Sequence, residues 1–387
     1  IIDQILSSMN LYNVNLLFFG GGNFYILAPN LEKNKTIIAT IRAKVNEWLL
    51  KAFNGTLFLA LDYVTFNGES FRNGKFIDVW EKIHHKVREK KAKKFEEILI
   101  KNPNAVLMEN NYENNILCDY CKIPSSNLQP LRDENQELKA CIYCKTFYEL
   151  GKKLPTTKYI LNRKEMNNID LNLIFGNYIM VESDLIKQNE TEELLKSSEK
   201  VFLLNSFDLL DDFLTRKIPI SLFLLGNYSK SHQLDKIKDC AIGSDKIGIL
   251  RMDVDNLGMI FRNGLKEKDR TISRVSTLSR FLNIFFKNYI NVICNRQASE
   301  IQTICQENFQ LHNINESREV TIVYSGGDDL FIIGAWSEIL DLAFDIESCF
   351  RYFTCNNPHI TISAGMSIVD SKFPIHKAAS LAGEYEH

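Results

Sequence analysis

Apolar and polar positions along this chain fall into two blocks of matching pattern. In "FFGGGNFYIL" (Phe18 to Leu27) three glycines separate two apolar runs, which predicts two strands joined by a tight turn. From about Lys35 to Lys51 the apolar residues Ile37, Ile38, Ile41, Val45 and Trp48 recur at spacings of three to four, one face of a helix. A strand "TLFLAL" from Thr56 follows. Laying Gly21-Gly22 on Gly326-Gly327 carries the whole block, without a gap, onto "VYSGGDDLFII" (Val323 to Ile333), a helix over about Leu340 to Asn356, and "TISAGM" from Thr361. Ile37 then meets Leu342, Ile38 meets Ala343, Ile41 meets Ile346, Val45 meets Phe350 and Trp48 meets Phe353. A gapless register through strand, glycine turn, strand, helix and strand predicts a duplicated domain.

The copies differ where chemistry would sit. Asn23-Phe24 of the first falls on Asp328-Asp329 of the second, and only the second has an upstream strand, "KIGILRMDVDNLG" from Lys246. In that strand Leu250, Met252 and Val254 share one face and suit a core, while Arg251, Asp253 and Asp255 share the other. Acidic residues at a strand end favour neither the strand nor each other. If the "GGDD" hairpin pairs with this strand, Asp253 converges with Asp328 or Asp329, and converging carboxylates call for a cation. Hard oxygen ligands suit Mg²⁺ or Mn²⁺, and a two-metal site of this kind serves nucleotidyl transfer. Asn256-Leu257-Gly258 forms the exit turn, where Gly258 would let a ligand approach the backbone. No GxxxxGK(S/T) phosphate loop is present.

"CDYC" (Cys118, Cys121) and "CIYC" (Cys141, Cys144) form a second constellation. Two C-x₂-C pairs at this separation suit one tetrahedral, structural Zn²⁺ held by four thiolates. The remaining Cys240, Cys294, Cys305, Cys349 and Cys355 lie in apolar contexts and are expected to be buried thiols in a reducing compartment, which points to the cytoplasm. "EKIHHKVREKKAKKF" (Glu81 to Phe95) reads as a basic helix with a solvated or partner-facing surface. "TLSRFLNIFF" from Thr277 reads as an amphipathic core helix with Ser279 and Arg280 facing out.

With 387 residues, two to three domains are expected from length alone. The patterning divides the chain into four segments: a truncated, degenerate first domain over 1–97, a zinc module over 98–150, an accessory α/β region over 151–243 and the second copy over 244–387. A composition 45% hydrophobic and 24% charged, with net charge −2, is that of a globular chain rather than a free-standing polyanion binder. No apolar run is long enough to span a membrane, and the N-terminus lacks a signal peptide's basic region. "IIDQILSSMN" reads as a helix tail and "KFPIHKAASLAGEYEH" as a helix cut partway, so a fragment of a longer chain is expected.

Taken together, "MDVDNLG", "LSRFLNIFF" and "YSGGDDLFII" resemble the second palm domain of the large subunit of Csm-type (type III) CRISPR effector complexes. "FFGGGNFYIL" resembles its degenerate first palm and the four-cysteine segment its zinc-containing domain. The resemblance implies an α+β fold with two ferredoxin-like, nucleotidyl-cyclase palm domains. It implies ATP bound between them and converted to cyclic oligoadenylates once guide RNA and target RNA are engaged by the assembled complex and its other subunits. Carried over by position, Asp253, Asp328 and Asp329 would hold the catalytic metals. Gly21, Gly22, Asn23, Asp255, Asn256, Gly258, Ser325, Gly326 and Gly327 would contact nucleotide. The family's N-terminal HD nuclease and C-terminal helical domains have no counterpart in this sequence, so no DNase activity is expected of it. Two other readings stay open: a diguanylate-cyclase-like enzyme, whose GGDEF turn is close to "GGDD", and a non-catalytic nucleotide-binding scaffold.

Overall fold

The computed structural model describes residues 1–386 apart from 72–74, 106–115, 133–134, 165–168, 183–196, 207–217, 232, 267–268, 270 and 296–316. Two compact units result, one of Ile1–Leu16, Ile26–Val201 and Arg270–Ile272, the other of Leu17–Tyr25, Phe202–Asp269 and Ser273–His387.

Helix α1 (Ile2–Ser8) opens the chain, followed by a two-stranded hairpin of β1 (Leu16–Gly20) and β2 (Asn23–Ile26), then α2 (Glu32–Phe53). Ile41 and Val45 are buried along α2, as the three-four spacing predicts. The expected strand at Thr56–Leu61 does not form. Side chains of α2 bond part of its backbone instead: Asn46 accepts from the Leu59 N–H and donates to the Leu59 carbonyl, and Arg42 donates to the Leu61 carbonyl.

Helices α3 (Phe76–Ala92) and α4 (Glu96–Lys101) follow. The basic helix therefore stops at Ala92, short of Phe95, which turns with φ +60° into α4. Two short antiparallel ribbons, β3 (Ile116–Leu117) with β4 (Pro124–Ser125) and β5 (Leu128–Arg132) with β6 (Asn135–Cys141), lead into α5 (Ile142–Lys153). Next come β7 (Thr157–Arg163), β8 (Leu171–Leu173) and β9 (Gly176–Glu182), with β9 antiparallel between the other two. The chain continues through β10 (Ser198–Leu204), β11 (Ile220–Phe223) and α6 (Leu234–Asp239).

The second unit is built on β12 (Ile247–Val254), α7 (Leu257–Asn263), α8 (Ile272–Ile284), a π turn (Phe285–Tyr289), α9 (Ile290–Asn295), β13 (Val320–Gly326), β14 (Asp329–Ala335), α10 (Trp336–Phe353), β15 (Ile362–Val369) and α11 (Ile375–Glu386). The strands form one sheet in the order β13-β14-β12-β15, the βαββαβ ferredoxin-like arrangement. Alternation along the central strand β12 explains its layers. Leu250, Met252 and Val254 pack with Phe285, Phe286, Leu330, Ile346 and Phe350, under α8–α9 and α10. Ile249 packs on the opposite face with Ala378 and Ala382 of α11. Buried Arg318 is paired with Asp345 and Glu338 of α10.

Two expectations need correction. Ser279 does not face out: it is 2% exposed, while Arg280 is exposed. Ser279 lies on the side of α8 that shares a cleft with Phe18 and Gly21 of the hairpin, which belongs to this unit. Nor are all the scattered cysteines buried. Cys294 and Cys349 are, but Cys240 caps the short helix α6 and Cys355 sits in the left-handed turn after α10, and both are exposed. Cys305 lies outside the described residues.

Candidate active site

The central strand β12 places Asp253 opposite Asp329 of β14 on one side and Ser363 of β15 on the other. The two-residue turn Gly327-Asp328 joins β13 to β14, and the Val254 N–H donates to the Asp328 carbonyl at 3.1 Å. All three aspartates therefore stand at one end of the central strands. Burial, then the nearby charges of Asp328, Glu386 and Asp329, push the Asp253 pKa up to about 6. Burial also raises Asp328 and Asp329, with Arg251 opposing the rise at Asp329.

Asp329 Oδ1 is buried and meets no hydrogen-bond donor among the described residues. Carboxylates held close, resisting ionisation and with an orphaned oxygen, fit a divalent cation with hard-oxygen preferences. Among the described residues, the oxygens of Asp253, Asp328 and Asp329 do not all lie within 4.8 Å of one another. Arg251 lies 4.0 Å from Asp329 and 3.7 Å from Glu386 of α11. Glu386 is a fourth acid that sequence patterning missed. Nothing in its helical context separates it from a surface glutamate until α11 packs against β15 at Gly365.

The other expected nucleotide contacts divide. Gly20 and Gly21 come up against Gly327: a Cβ on Gly327 (φ +78°) would lie 2.8 Å from the Gly21 nitrogen. Asn23 turns back to donate to the Gly21 carbonyl at 2.9 Å. Gly22 stands in open space. Asp255 accepts from the hydroxyls of Thr361 and Ser363 of β15. Asn256 carries the left-handed conformation of the exit turn (φ +54°), and Gly258 is the second residue of α7, with open space beside it. Ser325 is buried and donates its hydroxyl to the Phe286 carbonyl, facing the helix. Gly326 is likewise buried, against Lys287.

A cleft of about 130 Å³ opens beside the glycine turns, lined by Phe18, Gly21, Phe261, Ser279, Asn283 and Asp328 among others. That is below the size of a whole-ligand pocket, so it suits one end of a ligand whose remainder lies at the carboxylates. The Ser279 hydroxyl is buried without a hydrogen-bond partner among the described residues.

In the first unit, Cys118, Cys121, Cys141 and Cys144 bring their sulfurs within 4.8 Å of one another, and Cys121 Sγ lies 3.7 Å from Cys141 Sγ. Zn–S bonds of about 2.3 Å in a tetrahedron give sulfur separations of about 3.8 Å, so the set fits one zinc ion. Burial acts to raise the Cys118 thiol, but backbone N–H groups of Cys121, Cys141 and Tyr120 outweigh it and bring its pKa down to about 6. Burial, then the crowding of the other thiols, raises Cys144.

Residues 246–387 match the family model for the second palm domain of Cas10/Cmr2, and residues 1–110 match that for domain B of the Csm1 subunit. Proteins named as CRISPR single-strand-specific deoxyribonuclease Cas10/Csm1 (subtype III-A) align along essentially the whole chain. The one from Enterococcus italicus is 28% identical over 395 residues and that from Methanocaldococcus jannaschii 29% over 414. Its homologues are the Cas10/Csm1 proteins of type III-A CRISPR systems.

The chain covers 46% and 50% of those two relatives, about half their length. The fold matches that of a Csm1-Csm4 cassette with a TM-score of 0.73 at 23% identity, over 100% of this chain and 47% of that one. Similar Csm1-Csm4 structures are described as complexes with one ATP (TM-score 0.73) and with cA4 (0.71). Among the described residues no helix is long and apolar enough to cross a membrane.

Proposed function

We propose that this chain is the nucleotidyl-transfer part of a Cas10/Csm1-type subunit, working in an RNA-guided effector complex and converting ATP to cyclic oligoadenylates. The observation that carries this reading is the placement of Asp253, Asp328 and Asp329 at the strand ends beside the Gly20-Gly21 and Gly327 turns. The ATP and cA4 complexes of the Csm1-Csm4 cassettes support it.

The reaction needs the 3′-oxygen of one nucleotide to attack the α-phosphorus of another. The new P–O bond forms as the bond to the bridging oxygen breaks, pyrophosphate leaves and the hydroxyl proton passes to water. Mg²⁺ or Mn²⁺ held by the three aspartates would supply charge neutralisation at the transferring phosphoryl group. The chain's own contribution is placement. Backbone at the glycine turns lies bare for a close approach, and the buried Ser279 hydroxyl offers one hydrogen bond inside the cleft.

Asn23 and Phe24 give the first turn no carboxylate, so it would seat a nucleotide without holding metal. The four cysteines would hold a structural zinc. Other subunits, guide RNA and target RNA are the expected partners. The test supplies ATP or GTP with Mg²⁺ or Mn²⁺ to the full-length protein in its assembled complex with target RNA, and identifies products by mass. Cyclic adenylates are expected; cyclic di-GMP would favour the diguanylate-cyclase reading, and no product would favour a scaffold.

A further inference from the structure

Phe19 of the first glycine hairpin is held at two points by one helical segment. Asn283 of α8 donates to the Phe19 carbonyl, and its amide also donates to the Ser279 carbonyl at 2.9 Å. One turn further on, the Lys287 ammonium lies 3.8 Å from the centre of the Phe19 ring. Residues four apart share a helix face, so both grips come from one side.

Lys287 also touches the second hairpin, since a Cβ on Gly326 would lie 2.9 Å from its Cε. It sits in the π turn, and the Phe286 carbonyl of that turn receives the Ser325 hydroxyl at the end of β13. Local π turns often mark functional sites.

Packing alone does not call for a lysine here. Burial lowers its pKa to about 8. Among the described residues no acid is paired with it, so its desolvation is offset mainly by the aromatic face. A Met would fill the same space without that cost. The two turns meet backbone to backbone: a Cβ on Gly20 would lie 3.1 Å from the Gly327 Cα. That contact sets how near the turns can come, while the grip on Phe19 opposes their drawing apart, and both turns line the cleft.

We propose that Asn283 and Lys287 are positioning residues that clamp the Phe19–Gly21 turn against the Gly326–Gly327 turn and thereby set the width of the nucleotide cleft. The effect on nucleotide rests on the function proposed above; the clamp itself does not.

The test uses the full-length protein in its complex, with amide hydrogen exchange of residues 17–25 and steady-state ATP kinetics as separate readouts. Lys287→Met and Asn283→Ala should each speed exchange in 17–25 by roughly three- to thirtyfold, the range that a cation–π contact or a hydrogen bond sustains. Exchange in β12 and β14 should be unchanged. KM for ATP should rise by a similar factor with kcat within about twofold, the signature of lost uniform binding.

Lys287→Arg should restore both readouts, and Lys287→Met should add nothing in a Phe19→Leu background. Unchanged exchange in both single variants, or a full Lys287→Met effect without the Phe19 ring, would overturn the clamp. Faster exchange with unchanged KM would overturn its role in the cleft. A wild-type complex that makes no adenylate product would overturn the proposed function and leave hydrogen exchange to judge the clamp.

Discussion

Replacing Asp253 by Asn separates what the carboxylate cluster does for stability from what it does for chemistry. Asp253 has its pKa raised from 3.8 to about 6, by burial first and then by Asp328, Glu386 and Asp329. A raised carboxylate pKa means that the folded state holds a proton more tightly than the unfolded state. Stability contributed this way is fully present below the unfolded value of 3.8 and is lost as pH rises from there through about 6. The full difference would correspond to about 3 kcal/mol at 1.36 kcal/mol per pKa unit. Asp253 is only partly buried, and solvent screening brings the cost at pH 7.5 to about 1 kcal/mol.

Asp253→Asn keeps the shape and removes the charge. It should raise the melting temperature at pH 7.5 in EDTA by about 2–4 °C and leave it nearly unchanged at about pH 3.5, below the unfolded value of 3.8, where the acid is largely protonated in both states. Mn²⁺ should reverse the order, stabilising the wild type while leaving the variant unmoved. Thermal unfolding at the two pH values, with and without metal, reads all of this. A variant less stable than wild type at pH 7.5 in EDTA, or equally stabilised at both pH values, would refute the reasoning.

Four Cys→Ser single variants at Cys118, Cys121, Cys141 and Cys144 should each lose the one zinc per chain measured on the wild type, and a chelator should destabilise the wild type alone. Arg318→Met should cost about 3–5 kcal/mol in denaturant unfolding, because it leaves Asp345 buried without its cation; a cost under about 1 kcal/mol would contradict that pairing. Gly327→Ala and Gly22→Ala both force a side chain into left-handed backbone, at about 1–3 kcal/mol each. Only the Gly327 variant also collides with Gly21, so it should be the less stable and the poorer binder of ATP, as titration calorimetry can compare.

The carboxylate trio was legible in the sequence because strand alternation and a two-glycine turn fix backbone direction locally. Asp253 had to point off the core face once Leu250, Met252 and Val254 claimed it. The cysteine set was legible for a similar reason, since two C-x₂-C pairs leave few ways to arrange four sulfurs. Features set by distant packing were not legible. Ser279 is buried on the side of α8 that shares a cleft with a hairpin from far earlier in the chain. Glu386 joins the cluster only because a Cβ at Gly365 would lie 1.9 Å from the Ala382 carbonyl, so α11 sits directly on β15. The register with the second copy also overreached at Thr56–Leu61. The sequence there suits a strand, but its backbone is paired with Asn46 and Arg42 rather than with a neighbouring strand.

The central claim is that the chemistry belongs to the second glycine turn and its aspartates. It is tested most directly by the mass of the products that the RNA-bound complex makes from ATP and Mn²⁺, comparing wild type with Asp328→Ala/Asp329→Ala and with Asn23→Ala. The account predicts cyclic oligoadenylates from wild type, none from the double aspartate variant, and the same products at reduced yield from Asn23→Ala. Undiminished product from the double aspartate variant would contradict it.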